Sequence, residues 1–114
     1  MLNATRFWRL ALAALLVVVL ALALLPLGPE APTTGWDKTN HLLAFGTLAV
    51  VGCLGYPKQI ARLLPALLAY GGLIEVLQSF TDYRSAEWGD LLADALGLLL
   101  GWALCRLAAR LVPR

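Results

Sequence analysis

The sequence has little charge. Only 14% of its 114 residues are charged, whereas 61% are hydrophobic. A soluble domain of this size needs more polar surface than these residues provide. The formal net charge is only +2, so we expect no nucleic-acid partner. Walker, GxGxxG, HExxH and C2H2 spacings are also missing, which leaves out the common nucleotide and zinc motifs.

Cysteine is scarce as well. Cys53 and Cys105 are the two in the chain, too few for a disulfide framework. Both lie near segment ends that the charge pattern below places on the cytoplasmic side. Reducing conditions there make a disulfide unexpected.

The chain instead has long apolar runs separated by polar or proline-containing breaks. A helix crosses the hydrocarbon core of a bilayer with roughly 20 residues, and four segments approach that length. We therefore predict an all-α fold, a single membrane domain over residues 1–114 with four transmembrane helices. The predicted helices cover approximately residues 7–27, 38–56, 60–80 and 88–109.

The first apolar run has a competing interpretation as a secretory signal peptide. Arg6 and Arg9 precede it, and Ala21-Leu22-Ala23 resembles a cleavage site. That tripeptide lies inside the apolar run, which continues to Leu27. This placement favours a retained helix.

The basic residues are distributed unevenly among the connecting segments. The N-terminal segment, the turn at 57–62 and the C-terminal tail together hold seven of the nine Lys and Arg residues. The positive-inside rule then places both termini in the cytoplasm, in a multi-pass protein of the cell membrane. The loops near 26–38 and 81–89 face the extracytoplasmic side.

Several ionisable residues lie within or beside the apolar runs, where hydrocarbon solvates a charge poorly. In the predicted topology they occupy the outer ends of three helices at similar depth. Glu75 and Gln78, three residues apart, also share a helical face. We predict that these side chains form one extracytoplasmic-facing binding site. Its predicted residues are Asp37, Lys38, His41, Glu75, Gln78, Arg84, Asp90 and Asp94.

The last predicted helix carries its polar and small residues on one face. Asp90, Asp94, Gly97 and Gly101 follow spacings of four, three and four residues. Gly97 and Gly101 form a GxxxG motif, which lets another helix approach closely. The two aspartates are therefore expected to point into the bundle, with the glycines in a structural role.

These polar residues also have structural explanations. Asp37 and Asp90 suit helix N-terminal caps, and His41 suits a satisfied buried histidine. A polar network that only locks the helices together is the general alternative. Glu75 and Asp94 fit capping least, because neither lies at a helix start.

The combined motif resembles the VanZ-like family of small membrane proteins. The residues that carry the resemblance, between Asp37 and Gly101, are Asp37-Lys38-x-x-His41, Glu75-x-x-Gln78, Arg84 and Asp90-x-x-Ala93-Asp94-x-x-Gly97. It implies a four-helix membrane domain with these residues at the motif positions. The family usually has Asn where this chain has Asp94. Its namesake is linked to low-level resistance to the glycopeptide teicoplanin.

Three functional hypotheses follow. In the first, the polar pocket of a VanZ-like protein binds a membrane lipid or a lipid-linked envelope component, with a link to teicoplanin tolerance implied by the resemblance. The second is an intramembrane enzyme acting on a lipid-linked substrate, with His41, Glu75 and Asp94 as catalytic candidates for acid–base chemistry. The third is a structural or accessory subunit.

No cofactor and no metal ligands are assigned from the sequence. Under the enzyme hypothesis, a divalent metal would be held by His41, Glu75, Asp90 and Asp94. Hard oxygen ligands favour Mg²⁺ or Mn²⁺ over Zn²⁺.

Overall fold

The computed structural model describes residues 3–25, 37–81 and 88–111, and within them the chain forms four α-helices and no strand. In chain order these are α1 (Ala4–Leu24), α2 (Asp37–Gly55), α3 (Ile60–Gln78) and α4 (Trp88–Leu111). The all-α, four-helix prediction is confirmed. The first helix begins three residues before its predicted start and ends three before its predicted end, while the other bounds differ by at most two.

Local sequence explains where the helices begin and end. The Asn3 side chain accepts a hydrogen bond from the Arg6 N–H at 2.8 Å, which caps α1 at its N-terminus. Pro57 lies two residues after the end of α2, where a continued helix would need the N–H that proline lacks. Pro65 is the sixth residue of α3, so its missing N–H removes one intrahelical bond in the second turn of the helix.

Three of the helices are long and apolar enough to cross a membrane: α1, α3 and α4. The helix α2 has 19 residues but opens with a polar turn, from Asp37 to His41, which lowers its mean hydropathy. Many large apolar side chains of the bundle face outward, such as Val17, Leu99 and Leu104, each more than half exposed. A bundle with this surface is suited to lipid.

The helix α2 lies at the centre of the bundle, against all three other helices and most extensively against α4. Phe45 and Leu48 of α2 and Ile74 of α3 are almost completely buried. Among the described residues α1 does not pack against α4. The core therefore forms around α2, with α1 and α4 on different sides of it.

Side-chain bonds to backbone carbonyls join α1 to the rest of the bundle. At one end the Arg9 Nε–H donates to the Gly55 carbonyl at 2.8 Å, and the guanidinium lies 4.4 Å from the centre of the Tyr56 ring. Further along, Tyr70 of α3 donates to the Leu16 carbonyl. The Arg9 contact places the start of α1 beside the end of α2, so these two helices are antiparallel neighbours.

The helices α2 and α4 run in the same direction and approach closely at the two glycines of the GxxxG motif. A Cβ added to Gly97 would lie 2.5 Å from the Leu42 carbonyl oxygen, and one added to Gly101 would overlap the Gly46 carbonyl. Only glycine permits this backbone approach, so the predicted structural role of the motif has a physical basis in the fold.

We expect Gly97→Ala to destabilise the bundle. The new methyl group would clash with backbone atoms of α2, which cannot move aside as a side chain can by changing rotamer. The expected loss is about 1–3 kcal/mol, measured by thermal or denaturant unfolding in detergent. Gly72→Ala is the matched control. Nothing lies within 4 Å of the position of its Cβ, so it should be neutral or slightly stabilising. Equal stability of the two variants would contradict the close approach at Gly97.

Candidate functional site

The site is built on the first turns of α2 and α4, which start at the same end of the bundle. Lys38 and His41 extend from α2, and Asp90 and Asp94 extend from α4. Because the helices are parallel and in close contact, residues near their N-termini lie at the same level. The last part of α3 adds Glu75 from a third direction.

The shortest polar contact in this cluster joins His41 to Asp94. The His41 Nδ1 lies 2.7 Å from Asp94 Oδ1, and Asp94 is completely buried. Asp94 carries no other hydrogen bond at its second oxygen among the described residues. Since a buried carboxylate needs a donor, we assign the imidazole proton on Nδ1 to this bond. That bond fixes the orientation of the ring.

The second ring nitrogen of His41 is directed towards Asp90. The His41 Nε2 lies 3.8 Å from Asp90 Oδ2, while Lys38 Nζ lies 3.4 Å from Asp90 Oδ1. Asp90 is 4% exposed, so the Lys38 ammonium and the His41 ring both lie close to a carboxylate that is nearly removed from solvent. The Lys38 stem reaches it by passing over Gly89, where a Cβ would lie 2.6 Å from Lys38 Cε.

Glu75 completes the cluster. One ligand-capable atom from each of His41, Glu75 and Asp90 lies within 4.8 Å of the others. Glu75 stands one turn after Gly71 on α3, and a Cβ at Gly71 would lie 2.6 Å from Asp94 Oδ2 and 3.1 Å from the Phe45 ring. The absent side chain of Gly71 lets α3, and with it Glu75, approach Asp94 and Phe45 closely.

Gln78 has a different partner from its neighbour on the same face of α3. Its Nε2 donates to the Ala23 carbonyl at 2.9 Å, near the end of α1. Its Oε1 is buried without a hydrogen-bond partner in the described part of the chain. Gln78 therefore joins α3 to α1 beside the cluster, and its amide nitrogen is directed at α1.

Five of the predicted site residues are thus brought together: Lys38, His41, Glu75, Asp90 and Asp94. Arg84 lies outside the described residues. Asp37 begins α2, and its side chain is likewise outside the description. Whether these residues bind a ligand or catalyse a reaction stays a prediction.

Two supporting glycines were not singled out in the sequence analysis. Gly46 provides the α2 side of the contact with α4, and Gly89 provides the surface on which Lys38 lies. Gly89 directly precedes Asp90, and Gly46 lies five residues after His41. A search for glycines near each candidate polar residue would have found both.

The arrangement can move a proton or bind a polar group. An imidazole held by one carboxylate, with its second nitrogen facing another, has the geometry of an acid–base pair with an orienting partner. Three carboxylates against Lys38 and one histidine also make the described cluster rich in hydrogen-bond acceptors.

The comparison with known proteins decides the family. A sequence model of the VanZ/LLP1 family matches residues 3–109. The chain belongs to the VanZ/LLP1 family.

This membership confirms the resemblance carried by the motif residues. Together with the three apolar helices, it identifies the chain as a membrane protein. No curated protein and no solved structure matches the chain.

We expect Asp94→Leu to lower the free energy of unfolding by about 1.5–3 kcal/mol, because the imidazole loses its charged hydrogen-bond partner in a buried position. Asp94→Asn is the matched variant: it keeps the side-chain shape and an oxygen acceptor, so the loss should be clearly smaller. Unfolding of both variants in the same detergent provides the measurement. Equal losses would contradict the assigned hydrogen bond.

Proposed function

We propose that this VanZ/LLP1 protein is a multi-pass protein of the cell membrane in which all four helices cross the bilayer. The helix α2 is included because its polar first turn belongs to the cluster and the remainder is apolar. The concentration of Lys and Arg at one end of the bundle supports cytoplasmic termini. The cluster then faces the extracytoplasmic side, in the bacterial case the outer face of the inner membrane.

We propose that the cluster binds the polar headgroup of an envelope lipid or a lipid-linked envelope component. The observation that carries this is the convergence of Glu75, Asp90 and the Asp94-anchored His41 at one level. Such groups are costly to bury and are by default functional candidates in a membrane helix.

The composition of the cluster narrows the headgroup class. Lys38 already lies beside Asp90, so the positive charge of this lysine is largely neutralised within the cluster. The remaining acceptor capacity favours a headgroup with hydroxyl, amide or ammonium donors, such as a lipid-linked sugar or aminoacyl group. Arg84, a motif residue of the family resemblance, would add an anion-binding group.

We expect Glu75→Gln to reduce retention of the bound lipid by about ten-fold or more, since one charged hydrogen-bond acceptor contributes roughly 1.5–3 kcal/mol. The measurement is mass spectrometry of lipids that co-purify with the protein from host membranes. Susceptibility of the host to teicoplanin is read in parallel. It tests the proposal that headgroup binding underlies a glycopeptide tolerance.

Thr47→Val is the matched control for Glu75→Gln. Thr47 lies on the exposed face of α2, and its hydroxyl donates to the Leu43 carbonyl within the same helix. The control should keep both the lipid and the susceptibility of the parent protein. If Glu75→Gln lowers stability but leaves lipid retention and susceptibility unchanged, the cluster is a structural network and the binding proposal is rejected.

A second candidate function is a metal-assisted or acid–base enzyme acting on a lipid-linked substrate. The observation in its favour is the spacing of His41, Glu75 and Asp90, whose ligand atoms lie within 4.8 Å of one another. With Nε2 as the metal-binding atom, the Asp94 bond at Nδ1 would be the arrangement that usually orients a metal-binding histidine. Two carboxylates favour Mn²⁺ or Mg²⁺ as the ion.

Metal analysis of the protein purified in the presence of Mn²⁺ tests this candidate. We expect bound manganese in the parent protein and a loss of at least about ten-fold in affinity in His41→Gln, with Thr47→Val unchanged. Absence of bound manganese in the folded parent protein, with no turnover of lipid-linked substrates, would exclude the metal-assisted enzyme. It would leave the headgroup-binding proposal intact.

A further inference from the structure

A second feature lies at the end of the bundle opposite the polar cluster. There the C-terminal halves of α2 and α4 leave a cavity of about 740 Å³, partly open at the protein surface. Most of its lining is apolar or thiol. It includes Val50, Cys53, Leu54, Trp102, Cys105 and Arg106. A cavity of this size falls within the range of small-ligand sites.

The cysteines of the chain both lie in this cavity wall. Cys53 and Cys105 are free and half-buried, and the Cys105 Sγ lies 3.9 Å from the Val50 carbonyl oxygen. A free thiol behaves largely as a small hydrophobic group. The inner wall is therefore suited to a hydrocarbon chain.

Arg106 is the charged residue of the lining. Its guanidinium carbon lies 5.6 Å from the centre of the Trp102 ring, a cation–π contact that orients the group. The residue is exposed, so its donors remain available to a ligand. A planar guanidinium binds phosphate through two parallel hydrogen bonds.

This end of the bundle is uniformly basic. The described segments 3–12, 52–64 and 101–111 contain six basic residues and no Asp or Glu. The basic residues are Arg6, Arg9, Lys58, Arg62, Arg106 and Arg110. The surrounding field therefore favours an anion, and a neutral or zwitterionic ligand gains less from it.

We propose that this cavity binds an anionic phospholipid, with one acyl chain along the apolar wall and the phosphate beside Arg106. Charge complementarity selects this occupant, since a basic recess between helices at the membrane surface suits an anionic headgroup. The site is separate from the polar cluster, and it requires only that the chain is a membrane protein.

Trp102 provides the test, because a tryptophan in the cavity wall is quenched by brominated acyl chains that enter it. The protein is placed in phosphatidylcholine nanodiscs containing increasing fractions of brominated phosphatidylglycerol or brominated phosphatidylcholine. The quenching that disappears in Trp102→Phe is assigned to Trp102. We expect half-maximal quenching at a lower fraction of phosphatidylglycerol than of phosphatidylcholine.

Arg106→Gln should shift the phosphatidylglycerol curve by about five-fold, the expected effect of one basic group near an anionic lipid surface. Arg6→Gln is the matched control, since it removes the same charge from the same end of the bundle but does not line the cavity. Its shift should be clearly smaller.

Equal quenching of Trp102 by the two brominated lipids would overturn the proposal, as would equal shifts in Arg106→Gln and Arg6→Gln. Protection of Trp102 from both lipids in nanodiscs that hold two protein chains would also overturn it, because a second copy would then occupy the cavity. If Arg106→Gln fails to fold, the comparison of the two brominated lipids in the parent protein still tests whether the cavity prefers the anionic phospholipid.

Discussion

The structure depends on the close approach of α4 to α2. Gly97 and Gly101 let the backbone of α4 meet the Leu42 and Gly46 peptide groups, which no larger residue would permit. Because the two helices are parallel, that contact also sets the level of their first turns. The polar residues two turns or less before Gly97 are brought opposite those that precede Leu42, and a cluster forms between them.

The cluster offsets the free-energy cost of burying the Asp94 carboxylate. A carboxylate with no solvent exposure, such as Asp94, persists in an apolar bundle only with a donor at hydrogen-bond distance, and His41 provides it at 2.7 Å. The imidazole then has a fixed orientation, with its second nitrogen towards Asp90 and a Glu75 oxygen within 4.8 Å of one of its nitrogens. Packing and candidate chemistry use the same contacts, so removal of one partner affects both.

The four helices and most residues of the cluster could be predicted from the sequence, because helical periodicity is a strong constraint. The spacing of Asp90, Asp94 and Gly97 places carboxylates and glycine on one face before any partner is known. The partner of Gln78 could not be predicted, since it is the backbone carbonyl of Ala23, which no sequence pattern marks. The partners of Gly71 could not be predicted either, because they are the Phe45 ring and the Asp94 carboxylate of two other helices.

The bundle has two chemically distinct ends, an acidic cluster at one and a basic apolar cavity at the other. The central claim is that His41 is anchored by Asp94, and His41 is the single histidine of the chain. Solid-state NMR on protein labelled at histidine nitrogen and aspartate carboxyl carbon measures this contact directly in a lipid bilayer. The account predicts strong dipolar coupling between His41 Nδ1 and the Asp94 carboxyl carbon, lost in Asp94→Asn prepared with unlabelled Asn. Absence of that coupling in the folded parent protein would contradict it.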